Sequence, residues 1–287
     1  MCQTCGCALA KAPAAAAGRA PGRMVEVEVV RALLADNDHR AAHNRAHFDA
    51  AGVLVVNLMS SPGSGKTALL EATIKAERER GGAGLRIGVI EGDLETDNDA
   101  RRIRRHGVPA VQITTGGACH LDAAMIHGAI DELDLAGLDV LFIENVGNLV
   151  CPAGFDLGHH QAVALLSVTE GDDKPAKYPV LFRAADLVLI SKADLLAHFD
   201  DFDPLRAEAA VRGLASEAPV VALSARDGSG LQRWLDWLGA RVAENRRRIA
   251  SGPEAVAVGV GQPGAHAHDG PAHHHVHRRR HHEANRP

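Results

Sequence analysis

Aromatic residues make up only 3% of the 287-residue chain, with one Tyr and two Trp. A core so poor in rings must be assembled from Ala, Val, Leu and Ile, which suits a parallel sheet covered by helices better than an aromatic-rich sandwich. Excess positive charge is missing too. Against 36 Asp and Glu stand 31 Lys and Arg, a net charge of -5, so no general basic surface speaks for nucleic acid as a partner. No apolar run is long enough to cross a bilayer or to form a secretory hydrophobic region, and membrane insertion is not expected. Cysteines number five and are not spread like a disulfide framework. Cys2, Cys5 and Cys7 crowd the start while Cys119 and Cys151 stand apart. A cytoplasmic, reducing setting is expected, where clustered thiols read as metal ligands rather than bridges.

What is present divides into three parts. Residues 1–23 pair the cysteine cluster with a linker of Ala, Pro and Gly lacking apolar periodicity, whose ends would lie roughly 20 to 25 Å apart on average. Residues 24–250 form the folded body. Residues 251–287 are rich in Gly, Pro, Ala and His, with eight of the 17 histidines between His266 and His282. Such a bias cannot build a packed core and reads as a disordered metal-binding tail.

Within the body, a helical region from Met24 to about Ala50 precedes apolar runs at 53–59, 85–91, 109–114, 139–145, 163–169, 186–191 and 219–224. Helix-compatible segments at 66–80, 96–106, 120–133, 203–216 and 229–249 separate most of them. Strands alternating with helices predict an α/β fold, a mostly parallel sheet with helices on both faces. Ligands in such sheets bind at the carboxyl ends of the strands.

The first strand runs into SSPGSGKT, Ser60 to Thr67, and then a helix. This is the context that a phosphate-binding loop requires. Backbone N–H groups of Gly63, Ser64, Gly65 and Ala68 and the helix N-terminus would wrap the phosphates, Lys66 would reach the β and γ oxygens, and Thr67 would hold Mg²⁺. Ser60 stands where glycine is commonest. After a later strand comes SKAD, with Lys192 and Asp194, and after the next SAR, with Ser224 and Ala225. A carboxylate at Asp194 would accept two N–H bonds from guanine, a pairing adenine cannot make, so GTP is favoured over ATP. Ser191 replaces a more usual asparagine and loses one amide contact to the purine. Asp93 and Glu144, each after a strand, are candidates for Mg²⁺ and the γ-phosphate, and Gly147 for a backbone contact released on hydrolysis.

Cys119 and His120 are adjacent, and Cys151 follows the ENVGNLV segment. Thiolates with imidazole suit Zn²⁺, Ni²⁺ or Cu, and three ligands are one short of a closed tetrahedral site. Water, a fourth group or a two-fold related subunit must complete the shell. At the N-terminus, the thiolates of Cys2, Cys5 and Cys7 with the α-amino group make a set compatible with square-planar Ni²⁺ or with Zn²⁺. His39, His43 and His47 recur every fourth residue and share one helix face. They are read as a polar helix surface.

Taken together, SSPGSGKT, ENVGN, SKAD, the Cys119–His120 to Cys151 set and MCQTCGC resemble the hydrogenase nickel-incorporation proteins of the HypB family, over residues 25 to 250 and at the extreme N-terminus. The resemblance implies a dimeric GTPase with a nickel or zinc site at Cys119, His120 and Cys151 and a separate tight nickel site at Cys2, Cys5 and Cys7. It also implies delivery of nickel to the hydrogenase large subunit with a small zinc-containing chaperone. Two alternatives are a urease-type nickel accessory GTPase and a nickel buffer with a vestigial nucleotide site. The N-terminal cysteine triad and the Cys-His pair weigh against the first; intact Lys66, Thr67 and Asp194 weigh against the second.

Overall fold

A computed structural model of the chain describes residues 23–94 and 97–252, with side chains from residue 32 onward. The Cys2, Cys5 and Cys7 leader and the histidine-rich stretch lie outside the described residues. Seven strands, β1 (Leu54–Ser60), β2 (Ile87–Asp93), β3 (Ala110–Thr114), β4 (Val140–Glu144), β5 (Gln161–Ser167), β6 (Leu187–Ser191) and β7 (Val220–Ala222), form one sheet in the order β3-β2-β4-β1-β5-β6-β7. Every neighbouring pair is parallel, so all carboxyl ends share one edge. The seven apolar runs of the sequence are these seven strands, shifted by at most two residues at their ends.

The helices are α1 (Arg23–Ala51), α2 (Lys66–Glu79), α3 (Asn98–Arg105), α4 (Ala123–Ile130), α5 (Lys174–Lys177), α6 (Pro179–Ala184), α7 (Pro204–Gly213) and α8 (Leu231–Ala250). Helices α5 and α6 are too short for apolar periodicity to reveal; prolines at their first turns, Pro175 and Pro179, start them instead.

Period-two alternation along the strands divides the core between the two faces of the sheet. Leu54, Val56 and Leu58 of β1 pack in one layer with Leu69, Leu70 and Ile74 of α2 and Trp234, Leu238 and Val242 of α8. The intervening Val55 and Met59 turn to the other layer, where Val55 joins Phe48 of α1 and Ile126 of α4 and Met59 joins Phe182 of α6 and Val211 of α7. Trp234 is fully buried, and its indole N–H donates to Thr73 Oγ1 at 2.8 Å, so the one polar atom of the largest core side chain is satisfied.

Helix α1 meets the body through polar groups as much as apolar ones. Asn44 is fully buried, and its Nδ2 donates to the carbonyls of Ala123 at 2.8 Å and Leu157 at 3.2 Å. Asn37 donates to the Asp156 carbonyl at 2.8 Å and accepts from the Ala123 N–H at 3.0 Å. Arg45 adds a 3.0 Å ion pair with Asp156.

Candidate nucleotide and metal site

The loop after β1 closes on itself before any ligand is considered. Gly63 and Gly65 sit at φ 72° and 95°, a left-handed region that side chains avoid. Gly65 caps α2, so Lys66 and Thr67 occupy its first turn and the loop's N–H groups converge with the helix terminus. Ser64 Oγ donates to the Ser61 carbonyl at 2.8 Å. Lys66 Nζ donates to Ser60 Oγ at 3.0 Å, which gives the serine at that first position a task that glycine could not perform: it holds the ammonium inside the loop.

A cavity of about 430 Å³ opens over this loop, lined in part by Lys66, Thr67, Asp93, Glu144 and Gly147. A second, of about 220 Å³, adjoins it across Gly65 and Ala68 and is lined by Lys192, Asp194, Ser224 and Ala225. The residues assigned from sequence to phosphate and to base thus line two adjoining chambers, sized for a polyphosphate and a purine. Lys192 takes the left-handed conformation at φ 58° and starts the short 3-10 turn Ala193–His198 that carries Asp194. Ser191 does more than lack an amide. Its hydroxyl donates to the Ser64 carbonyl at 2.7 Å, tying the end of β6 to the phosphate loop.

Carboxylates gather at the phosphate end. Thr67 Oγ1 donates to Glu144 Oε1 at 2.9 Å, and Asp93 lines the same cavity. Sequence reasoning missed a third acid, Glu91, which the β2–β4 register sets directly opposite Glu144. Both are buried, and apart from the contact between the two carboxyls Glu91 Oε1 and Glu144 Oε2 have no hydrogen-bond partner. Burial, then the neighbouring Glu144, pushes the Glu91 carboxyl up to about 10. Glu144 is also raised by burial, opposed chiefly by Lys66. Two buried carboxyl groups with no partner but each other on their inner oxygens, beside a threonine hydroxyl, are the hard oxygen donors that Mg²⁺ takes, so the residues present fit that ion. The available signal was an acid two residues before Asp93, inside the run IGVIEGD.

Gly147, after β4, packs onto the phosphate loop: a Cβ there would meet Pro62 Cα at 2.8 Å and N at 2.9 Å. The same loop continues to Cys151, whose Sγ lies 2.9 Å from Cys119 Sγ, with both thiols free. Contact with Cys119 is the first cause that raises the Cys151 thiol, and burial the second. His120 Nδ1 is 3.7 Å from Cys119 Sγ, and its ring stacks on Phe155 with centroids 3.9 Å apart. The ligand atoms of Cys119, His120 and Cys151 all lie within 4.8 Å of one another. Between the two loops runs Asn148, whose Nδ2 donates to the Cys119 carbonyl at 3.3 Å.

Comparison with known proteins agrees with this geometry. The family model for the CobW/HypB/UreG nucleotide-binding domain matches residues 54–222. A hydrogenase maturation factor HypB of Escherichia coli (strain K12) is 50% identical over 223 residues, spanning 78% of this chain and 74% of the relative. A hydrogenase/urease maturation factor HypB of Helicobacter pylori is 44% identical over 224 residues, spanning 77% of this chain and 90% of the relative. The crystal structure of HypB from Helicobacter pylori in complex with nickel superposes with a TM-score of 0.69 at 44% identity, covering 74% of this chain and 97% of that one. With the family model matching more than half of the chain and relatives of 44 to 50% identity covered over about three quarters of their length or more, the chain belongs to the HypB family of hydrogenase maturation factors.

Proposed function

We propose that the chain is a GTPase that uses nucleotide state to control nickel held at Cys119, His120 and Cys151, and delivers it to the nickel-iron hydrogenase large subunit during maturation. One observation carries this reading. A single loop seats Gly147 on Pro62 of the phosphate loop and, through Asn148 and Cys151, touches Cys119. Any shift of Gly147 toward a γ-phosphate moves a thiol.

In hydrolysis, a water oxygen attacks the γ-phosphorus, the bridging bond to the β-phosphate breaks, and GDP leaves with phosphate. Lys66 exchanges the Ser60 hydroxyl for phosphate oxygens, and backbone N–H groups of the loop hold the rest. Thr67, Asp93 and Glu144 would hold Mg²⁺, which supplies neutralisation of charge on the phosphates when bound. Asp194 selects guanine. Turnover is slow, about 10⁻⁴ to 10⁻² per second, the range of P-loop GTPases that no partner protein assists.

Two thiolates and one imidazole accept Ni²⁺ or Zn²⁺ and leave the shell incomplete, which favours a homodimer whose second copy supplies further ligands. A small zinc-containing chaperone is the expected partner in delivery, in the cytoplasm. The Helicobacter pylori relative carries urease as well as hydrogenase in its name, so urease is the second acceptor to test. The full-length protein, loaded with GDP or a non-hydrolysable GTP analogue, is titrated with nickel. Affinities at this site should differ by about 5- to 150-fold, and Cys151→Ala should erase the difference. Identical curves in the unmutated protein would defeat the coupling.

A further inference from the structure

Helix α1 carries His43 and His47 one turn apart, and both turn toward His127 of α4. The three ring centroids are 4.5, 5.1 and 5.8 Å apart, all edge-on. Their ligand atoms lie within 4.8 Å of one another, and all three side chains are half-buried. His39, on the same helix face, is exposed and takes no part in the cluster. The polar-surface reading of the sequence therefore fits His39 and not the other two.

A buried asparagine sets the chemistry of the third ring. Asn44 Nδ2 already donates to the carbonyls of Ala123 and Leu157, which fixes the amide with Oδ1 as its acceptor. That oxygen lies 3.2 Å from His127 Nδ1, so Nδ1 carries the proton and Nε2 keeps its lone pair. Metal-binding histidines are oriented in this way, by a neighbouring acceptor on the other ring nitrogen.

We propose that His43, His47 and His127 form a second transition-metal site in the body, three imidazole nitrogens holding one divalent ion of the zinc type with a water in the fourth position. Nitrogens about 2.0 Å from a tetrahedral ion are roughly 3.3 Å apart, so rotation of the rings must draw the donors together from the present spacing. Such a site prefers Zn²⁺, Ni²⁺ or Cu²⁺ over Mg²⁺. It also pins α1 to α4, the helix that opens three residues after His120. This site has no thiolate and shares no residue with the Cys119 set, so it stands or falls independently of the GTPase reading.

The test uses the full-length protein and Zn²⁺ alone. Bound zinc is counted by competition with a chromophoric chelator in the parent, in His47→Gln and in the His43→Gln/His47→Gln double variant, and thermal midpoints are taken with and without zinc. The expected result is one ion fewer per chain in both variants, together with loss of part of the zinc-induced rise in midpoint. Cys151→Ala should leave that component in place. Equal zinc counts in parent and variants would overturn the site and leave three rings that merely pack. Should the variants misfold by circular dichroism, anomalous diffraction at the zinc edge from crystals of the parent decides: a peak between the three rings supports the site, and its absence refutes it.

Discussion

Replacing Glu91 by glutamine should make the nucleotide-free protein more stable and remove much of its pH dependence. In the unfolded chain this acid ionises near 4.5, whereas in the fold burial and Glu144 hold its proton up to about 10. Between those values the folded state binds more protons than the unfolded state. Stability from this group is therefore complete below pH 4.5 and declines as pH rises toward the folded value, by about 1.4 kcal/mol per unit, or about 3 kcal/mol by pH 7. Glutamine has the shape of the protonated acid and does not titrate. Urea unfolding of parent and Glu91→Gln, without nucleotide or Mg²⁺ and between about pH 5 and 8, measures the difference. The gap should widen with pH in favour of the variant. Parallel profiles would show that Glu91 already reaches solvent or a counter-ion, and that the buried pair does not hold a proton.

Three further outcomes follow from the site. Lys66→Ala should abolish GTP turnover in a phosphate-release assay while the protein stays folded, and wild-type turnover would remove Lys66 from its role. Asp194→Asn should shift preference from GTP toward xanthosine triphosphate in competition binding; unchanged selectivity would mean that the base binds elsewhere. Gly147→Ala forces a methyl against the Pro62 backbone, an overpacking of about 1 to 3 kcal/mol, and should weaken GTP-analogue binding more than GDP binding in a fluorescent-nucleotide titration. Equal losses for both nucleotides would argue against a γ-phosphate contact at this loop.

The fold was legible because its signals are local. Each apolar run is a strand, and the glycines of SSPGSGKT announce a turn whose left-handed backbone the structure contains at Gly63 and Gly65. What stayed hidden depends on pairing between distant segments. Glu91 matters through its register with Glu144 on another strand, and His127 through α1 packing beside α4. Ser60 and Ser191 read as departures from a motif when judged by position alone. In the structure each has a partner, Lys66 for one and the Ser64 carbonyl for the other.

The polar docking of α1 has a mechanical consequence. Apolar surfaces are indifferent to small slides, because one methyl contact replaces another at little cost. Amides have no such tolerance: if α1 slipped by one turn, Asn37 and Asn44 would lose their partners at Ala123, Asp156 and Leu157, and each stranded group would cost about 1 to 3 kcal/mol. The helix is indexed rather than greased. A pull along its axis meets a stop before it meets a gradient, so force applied there reaches Ala123, three residues from His120, as a displacement of the backbone instead of being lost in sliding.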